Sequence, residues 1–304
     1  MKENKTMKNF INICKMNQAA LKKYVTKHLS TTYHDVQSGN GYVYAQGTMP
    51  VLLVAHLDTV HKKLPQTVLY DEETKAISSP EGIGGDDRCG IYIIFEVIKK
   101  FHCSVLFCED EEIGAIGADK FTDTGFAQQL SFNYIIEFDR KGSNDAVFYD
   151  CDNPEFEEFI TKDFFKTAHG SFTDISILAP FFGCAAVNLS CGYYNAHTTS
   201  EYVVFPEMLK VIEESCKILE RTTEKDEFEY IPCEKQSTWD YWDFASFGSR
   251  KTSESYYVIE YEDETGDIQW YDTSAISIEE AIGKFCINTL LPYTNITNIS
   301  EENY

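Results

Sequence analysis

Five short segments of this 304-residue chain place His, Asp or Glu where an apolar run ends or a loop begins. The segment AHLDTV supplies His56 and Asp58. A metal-bound imidazole usually donates its other N–H to a carboxylate, and an Asp two residues further on can accept it. Alone, the pair equally describes a buried histidine with its hydrogen-bond partner. The segment GIGGDDRCG supplies Asp86 and Asp87 behind Gly84 and Gly85, which allow close backbone approach. Adjacent carboxylates repel, and burying both requires cations; one carboxylate bridging two metal ions meets that need. The plainer alternative is a helix N-cap with an acidic surface neighbour.

The segment FCEDEEIGAIGA supplies Glu109, Asp110, Glu111 and Glu112 after an apolar run. Successive side chains point in different directions, so one Glu can ligate metal while its neighbour acts as general base. A solvated acidic loop is the commoner fate of such runs. YIIEFDRKG adds Asp139, which a turn at a strand end would also explain, and GYYNAHTTSEYV adds His197, which would also suit a surface loop. Together these segments offer two His, three candidate carboxylate ligands and one spare Glu. An imidazole-and-oxygen donor set suits zinc, manganese or cobalt rather than an iron–sulfur cluster. Two ions about 3.5–4 Å apart, bridged by one Asp, form the centre of co-catalytic hydrolases.

The elements that must hold these groups are legible as apolar runs. VLLVAH (51–56), CSVLFCE (103–109), FNYIIEF (132–138) and CAAVNLS (184–190) read as buried strands. Helical patterns cover 8–30, 89–101, 154–165 and 206–222, the last with Pro206 at its start. The alternation predicts an α/β fold with a mostly parallel sheet covered on both faces. In such sheets ligands bind at the carboxyl ends of strands, where these acids and histidines fall.

After about residue 224 the composition shifts, with 18 acidic and 5 basic residues to the end of the chain. Residues 256–272 read as a hairpin around Glu264–Gly266, and 277–290 as a helix. The division expected is a catalytic domain over 1–229 and a small acidic α+β unit over 230–304, with 230–254 as linker. The formal net charge is −23. That charge repels phosphate backbones, so neither nucleic acid nor an anionic membrane is an expected partner. No run approaches the ~18 consecutive apolar residues of a membrane span. The N-terminus lacks the apolar core of a secretory signal, and the ten cysteines form no CxxC pair. Reduced thiols in a cytoplasmic protein are expected.

Taken in order, the motifs over about residues 50–210 resemble those of the di-zinc exopeptidase superfamily, the group of peptidase T and the tetrahedral aminopeptidases. HLDTV resembles its His-x-Asp motif, GGDDRCG its Asp-Asp-Lys/Arg-x-Gly motif and DEEIGAIGA its Glu-Glu-x-Gly motif. GYYNAHTTSEYVVFPEM is similar to the final His motif of peptidase T, and SFTDISIL to the Thr-Asp segment before it, which gives Asp174 a structural or supporting role. The resemblance implies a mixed, mainly parallel twisted sheet with helices on both faces. It implies that Asp86 bridges two divalent ions, that His56 and Asp139 complete one site, and that Glu112 and His197 complete the other. By the same resemblance Asp58 orients His56, and Glu111 takes a proton from the bridging water and delivers it to the leaving amine. Zinc is the expected metal, with manganese or cobalt as alternatives.

The chain departs from the family in its spacing. Peptidase T enzymes insert a lid and dimerisation domain before the Thr-Asp segment, and tetrahedral aminopeptidases insert a domain after His-x-Asp. Here only 35 positions separate Asp139 from Asp174, and 30 separate His56 from Asp86. A minimal catalytic domain is implied, without those dimerisation and lid elements; Arg140 and His169 are candidates for the substrate contacts of a lid. The function implied is hydrolysis of amide bonds, most simply exopeptidase cleavage of short peptides. An amidohydrolase of N-acylated amino acids and a non-catalytic binding protein on the same fold are the alternatives.

Overall fold

The computed structural model describes residues 2–170, 172–233, 255–263, 265, 267–275, 281, 284, 285, 289, 291 and 295–302. The chain forms two compact units, Met1–Cys233 and Glu234–Tyr304. In the first unit the helices are α1 (Lys2–Cys14), α2 (Gln18–Leu29), α3 (Gly85–Val97), α4 (Ile116–Thr122), α5 (Pro154–Thr161), α6 (Ile175–Phe182) and α7 (Phe205–Arg221). Its first six strands are β1 (Val36–Gly39), β2 (Tyr42–Ala45), β3 (Met49–His56), β4 (Leu69–Tyr70), β5 (Ala76–Ser78) and β6 (Cys103–Cys108). The remaining strands of this unit are β7 (Tyr134–Arg140), β8 (Asp145–Val147), β9 (Lys166–Ala168), β10 (Ala186–Ser190), β11 (Tyr193–Tyr194) and β12 (Tyr202–Val204).

Eight strands make the main sheet in the order β1-β2-β6-β3-β7-β10-β8-β9. Its centre, β6-β3-β7-β10, is parallel throughout, and antiparallel pairs flank it at β2-β6 and β10-β8. The mixed, mainly parallel sheet is the one expected. The central strands are continuous apolar runs because both of their faces are covered. Along β3, Val51, Leu53 and Ala55 enter one core with α1, α2, α3, α5 and α7, while Leu52 and Val54 enter a second with α4 and α6. A smaller antiparallel sheet has the order β11-β12-β5-β4.

Two local features differ from the sequence reading. The helical pattern over 8–30 is two helices, because the Asn17 side chain accepts a hydrogen bond from the Ala20 N–H and so caps α2. The edge strand β1 and its neighbour β2 are too short to show a long apolar run; they pair with each other, and β2 pairs with β6. Among the described residues eight of nine cysteines are buried and none is paired, as free thiols in a core would be. No described helix is long and apolar enough to cross a membrane.

In the second unit β13 (Ser255–Glu262) pairs antiparallel with β14 (Ile268–Ala275) and β15 (Ile296–Glu302). The β13-β14 pair is the hairpin expected over 256–272. Tyr257 and Ile259 pack with Ala281 and Phe285 in a small core of its own. Most of the helix expected over 277–290 lies outside the described residues, as does the linker expected over 230–254 apart from residues 230–233, which belong to the first unit.

Candidate metal centre

The parallel strands β6, β3 and β7 end side by side, and their carboxyl ends supply most of the site. His56 is the last residue of β3, and Asp58 follows it. Glu111 and Glu112 lie just after β6, Asp139 is near the end of β7, Asp86 stands at the entry to α3, and His197 lies between β11 and β12. The fold therefore brings all seven of these residues to one end of the sheet.

The Asp86 carboxylate faces both histidines. Its Oδ1 lies 3.0 Å from His56 Nε2 and its Oδ2 lies 3.2 Å from His197 Nε2. Asp139 Oδ1 is 3.4 Å from His56 Nε2, and Glu112 Oε2 is 3.0 Å from His197 Nε2. Two half-sites thus share one carboxylate. Glu111 Oε2 stands 4.0 Å from His56 Nε2, within reach of the same space without a hydrogen bond to it. On the far side of the ring, His56 Nδ1 is 3.1 Å from Asp58 Oδ1. The Asp58 carboxylate also accepts the backbone N–H groups of Glu111 and Glu112, each at 3.1 Å. Asp58 therefore fixes the imidazole and the acidic loop together.

Of the four consecutive acids, two face elsewhere. Glu109 pairs with Lys22 of α2, and Asp110 accepts a hydrogen bond from Gln18 at 3.0 Å. The run is neither a solvated loop nor four ligands: its first half is fastened to α2 and its second half faces the site. Asp87 also has a separate task. Its Oδ1 caps α3 through the Gly90 N–H at 2.8 Å, and its Oδ2 accepts the His56 backbone N–H at 3.1 Å. The helix-start cap expected of the pair falls to Asp87, and its neighbour Asp86 is buried rather than on the surface. The peptide bond between them is cis.

Several supports were not legible in the motifs. The Tyr193 hydroxyl donates to Asp139 Oδ1 at 3.2 Å and Thr173 Oγ1 donates to Asp139 Oδ2 at 3.3 Å. Buried Arg88 donates to the Asp58 carbonyl at 2.6 Å and reaches the Met16 carbonyl at 3.3 Å. Arg140 spans the rim, donating to the His169 carbonyl at 3.0 Å and lying 3.5 Å from Asp145, while the His169 side chain is exposed. Asp174 is fully buried behind the site.

The electrostatics call for cations. Burial, then the charge of Asp86, lifts Glu112 to about 7, and burial followed by Asp86 lifts Asp139 to about 6. Burial also raises Asp174 to about 7 and Glu111 well above the usual carboxylate range. Hydrogen bonds to Asp86 and then Glu112 raise His197 to about 11. At Asp86 burial pushes upward, but hydrogen bonds from His197 and His56 outweigh it and hold the carboxyl low. Without ions, protons must offset the crowded carboxylates. His56, Asp86 and Glu112 offer donor atoms within 4.8 Å of one another, as do His56, Asp87 and Asp139. Glu112 Oε1 is buried with no hydrogen-bond partner, an acceptor that a cation would satisfy. The imidazole and carboxylate donors present fit divalent ions of the zinc, manganese or cobalt kind.

What emerges is a mixed, mainly parallel α/β fold with a carboxylate–imidazole cluster at its strand ends. The structure is similar to aminopeptidase PepT from Bacillus cereus ATCC 10987, at 14% identity and a TM-score of 0.59 over 71% of this chain and 98% of that one. It is similar to a tripeptidase from Staphylococcus aureus subsp. aureus Mu50, at 14% identity and a TM-score of 0.57 over 71% and 97%. It is also similar to PhTET1-12s, a dodecamer, at 12% identity and a TM-score of 0.52 over 70% and 98%. No family model matches the chain, and no curated protein does. At these identities the likeness is one of fold, and that fold is the one the motifs resemble.

Proposed function

We propose that the protein is a metal-dependent hydrolase that cleaves amide bonds, an exopeptidase acting on short peptides. The observation that carries this reading is the Asp86 carboxylate, one oxygen on each histidine, with Glu111 beside it and outside the ligand pairs. His56 and Asp139 would hold one ion, His197 and Glu112 the other, and Asp86 both. The ions, when bound, supply Lewis acidity to a substrate carbonyl and to an attacking water. Burial raises the Glu111 carboxyl, which favours its taking a proton from the attacking water, and Glu111 would pass that proton to a leaving amine. Asp58 keeps His56 in one tautomer, with Nδ1–H donated and Nε2 free for the site. Arg140, one residue beyond Asp139 and held by the His169 carbonyl, would be the group to meet a substrate carboxylate.

The test combines metal content with hydrolysis of a panel of short peptides and N-acylated amino acids, on wild type and on Glu111→Gln. Wild type should hold two ions per chain and cleave peptides. Glu111→Gln should keep both ions and lose about 10²–10⁴-fold in kcat. A wild type that takes up no zinc, manganese or cobalt and cleaves nothing would remove the enzyme reading. Turnover confined to the acylated amino acids would move the substrate class and leave the mechanism in place.

A further inference from the structure

Glu201 is fully buried, lies four positions after His197, and belongs to no ligand pair of the proposed centre. Each of its oxygens is already engaged. Oε1 accepts the backbone N–H of Asp86 at 2.9 Å. Oε2 accepts the backbone N–H of Gly84 at 2.7 Å and lies 2.7 Å from His61 Nε2. Its own N–H donates to the Thr198 carbonyl at 3.1 Å, which closes the loop that carries His197. One carboxylate therefore joins three separate segments: the loop after His56, the turn that delivers Asp86, and the loop that presents His197.

The packing around it leaves little room for adjustment. Gly84 has φ +67, a left-handed conformation that favours glycine. A Cβ at Gly85 would stand 2.8 Å from Val203 Cγ2 and 3.3 Å from Glu201 Oε1. A Cβ at Gly82 would stand 2.2 Å from the His61 ring. The glycines of this turn let the backbone close onto Glu201 and its histidine.

We propose that Glu201 is the positioning residue for the shared Asp86 carboxylate, and that it sets the affinity of the ion held by His197. The inference rests on the metal reading above. The physical argument is that His197 is the most exposed of the proposed ligands, with a half-exposed side chain and φ +64. Its partner in that half-site, besides Glu112, is Asp86. The loop of His197 and the turn of Asp86 are tied to each other through Glu201. A glutamine at this position cannot reproduce the arrangement. Its single oxygen can face the Asp86 N–H or the Gly84 N–H, and its NH₂ must then face the other donor.

The experiment is a titration of metal-free, full-length wild type and Glu201→Gln with Zn²⁺ and with Co²⁺. The Co²⁺ visible spectrum is followed, and turnover is measured at limiting and excess metal. Wild type should take two ions. Glu201→Gln should take one with near wild-type affinity and the other about 10–100-fold more weakly, the usual effect of removing a group that orients a ligand. The spectrum of the second Co²⁺ should change, and excess metal should recover much of the kcat. Glu201→Asp keeps the charge but draws it back by one methylene. It should show the same loss if the glutamine variant does not fold. Two ions at wild-type affinity and an unchanged spectrum in both variants would overturn the inference while leaving the metal reading intact. A wild type that binds no ion would overturn both.

Discussion

At the scale of the residue, the arrangement assigns different work to neighbours of identical type. Glu111 and Glu112 are adjacent, yet Glu112 meets His197 while Glu111 stands apart at 4.0 Å from His56. Asp86 and Asp87 divide in the same way, one toward the histidines and one into the helix start. The types and order of these residues were legible in the sequence, because a metal centre needs clustered donors and the motifs list them. The division of labour was not legible, because it depends on which way each backbone N–H points. Glu201 and Tyr193 were missed for the same reason: each acts on a ligand through space, and only the segment GYYNAHTTSEYV held them near a histidine. Asp58 is a case where local spacing sufficed. Asp58→Asn should keep the fold but weaken metal binding about 10–100-fold, since the amide accepts less strongly from His56 Nδ1–H. Equilibrium dialysis against zinc checks this, and an unchanged affinity would place Asp58 outside the centre.

At the scale of the element, three parallel strand ends, one helix start and the loop between β11 and β12 make the site, and the helix start is the most constrained. Gly90, the sixth residue of α3, packs against β7. A Cβ there would lie 1.9 Å from the Phe138 carbonyl and 2.5 Å from Asp87 Oδ1. Neither backbone nor a buried carboxylate can yield cheaply. Gly90→Ala should therefore cost about 3 kcal/mol or more, at the upper end of overpacking effects. Denaturant unfolding of the metal-free variant measures it, and a loss below about 1 kcal/mol would show that α3 can slide. The central strands were legible because burial on both faces writes an unbroken apolar run. β1, β2 and the small sheet β11-β12-β5-β4 were not, because strands of two to four residues leave no periodicity to read. The break between α1 and α2 was signalled only by Asn17, an N-cap type inside an otherwise helical pattern.

At the scale of the whole first unit, the protein buries many carboxylates around one fully buried guanidinium, that of Arg88. In the metal-free state the raised groups link stability to pH. Glu112, Asp139 and Asp174 rise from 3.8–4.5 to about 6–7. The folded state holds these protons more tightly than the unfolded chain does. Their contribution is full below about 4 and is lost as pH climbs through 6–7. His197, raised to about 11, acts in the same direction above its ordinary 6.5. Asp86, held low, contributes above 3.8 and adds no slope in this window. The metal-free protein should therefore melt at a lower temperature at pH 8 than at pH 5. Divalent ions replace the protons, so added zinc should raise the melting temperature more at pH 8 than at pH 5; at about 100 times Kd one site contributes about 2.7 kcal/mol. Calorimetry at both pH values, with and without chelator, decides this. Equal metal stabilisation at the two pH values would mean the ions bind elsewhere.

The ties between α2 and the acidic loop also bear on the order of assembly. Lys22 to Glu109 spans 87 positions and Gln18 to Asp110 spans 92. Arg88 reaches back to the Met16 carbonyl across 72. During synthesis α2 is made long before β6, and closing such long loops is entropically slow. Until β6 is in place, Lys22 and Gln18 of α2 have no acidic loop to hold and the loop has no anchor. The helix that is made early thus waits for β6 before it reaches these contacts, and the centre, which also draws on Asp139 and His197, matures only after later segments join the sheet.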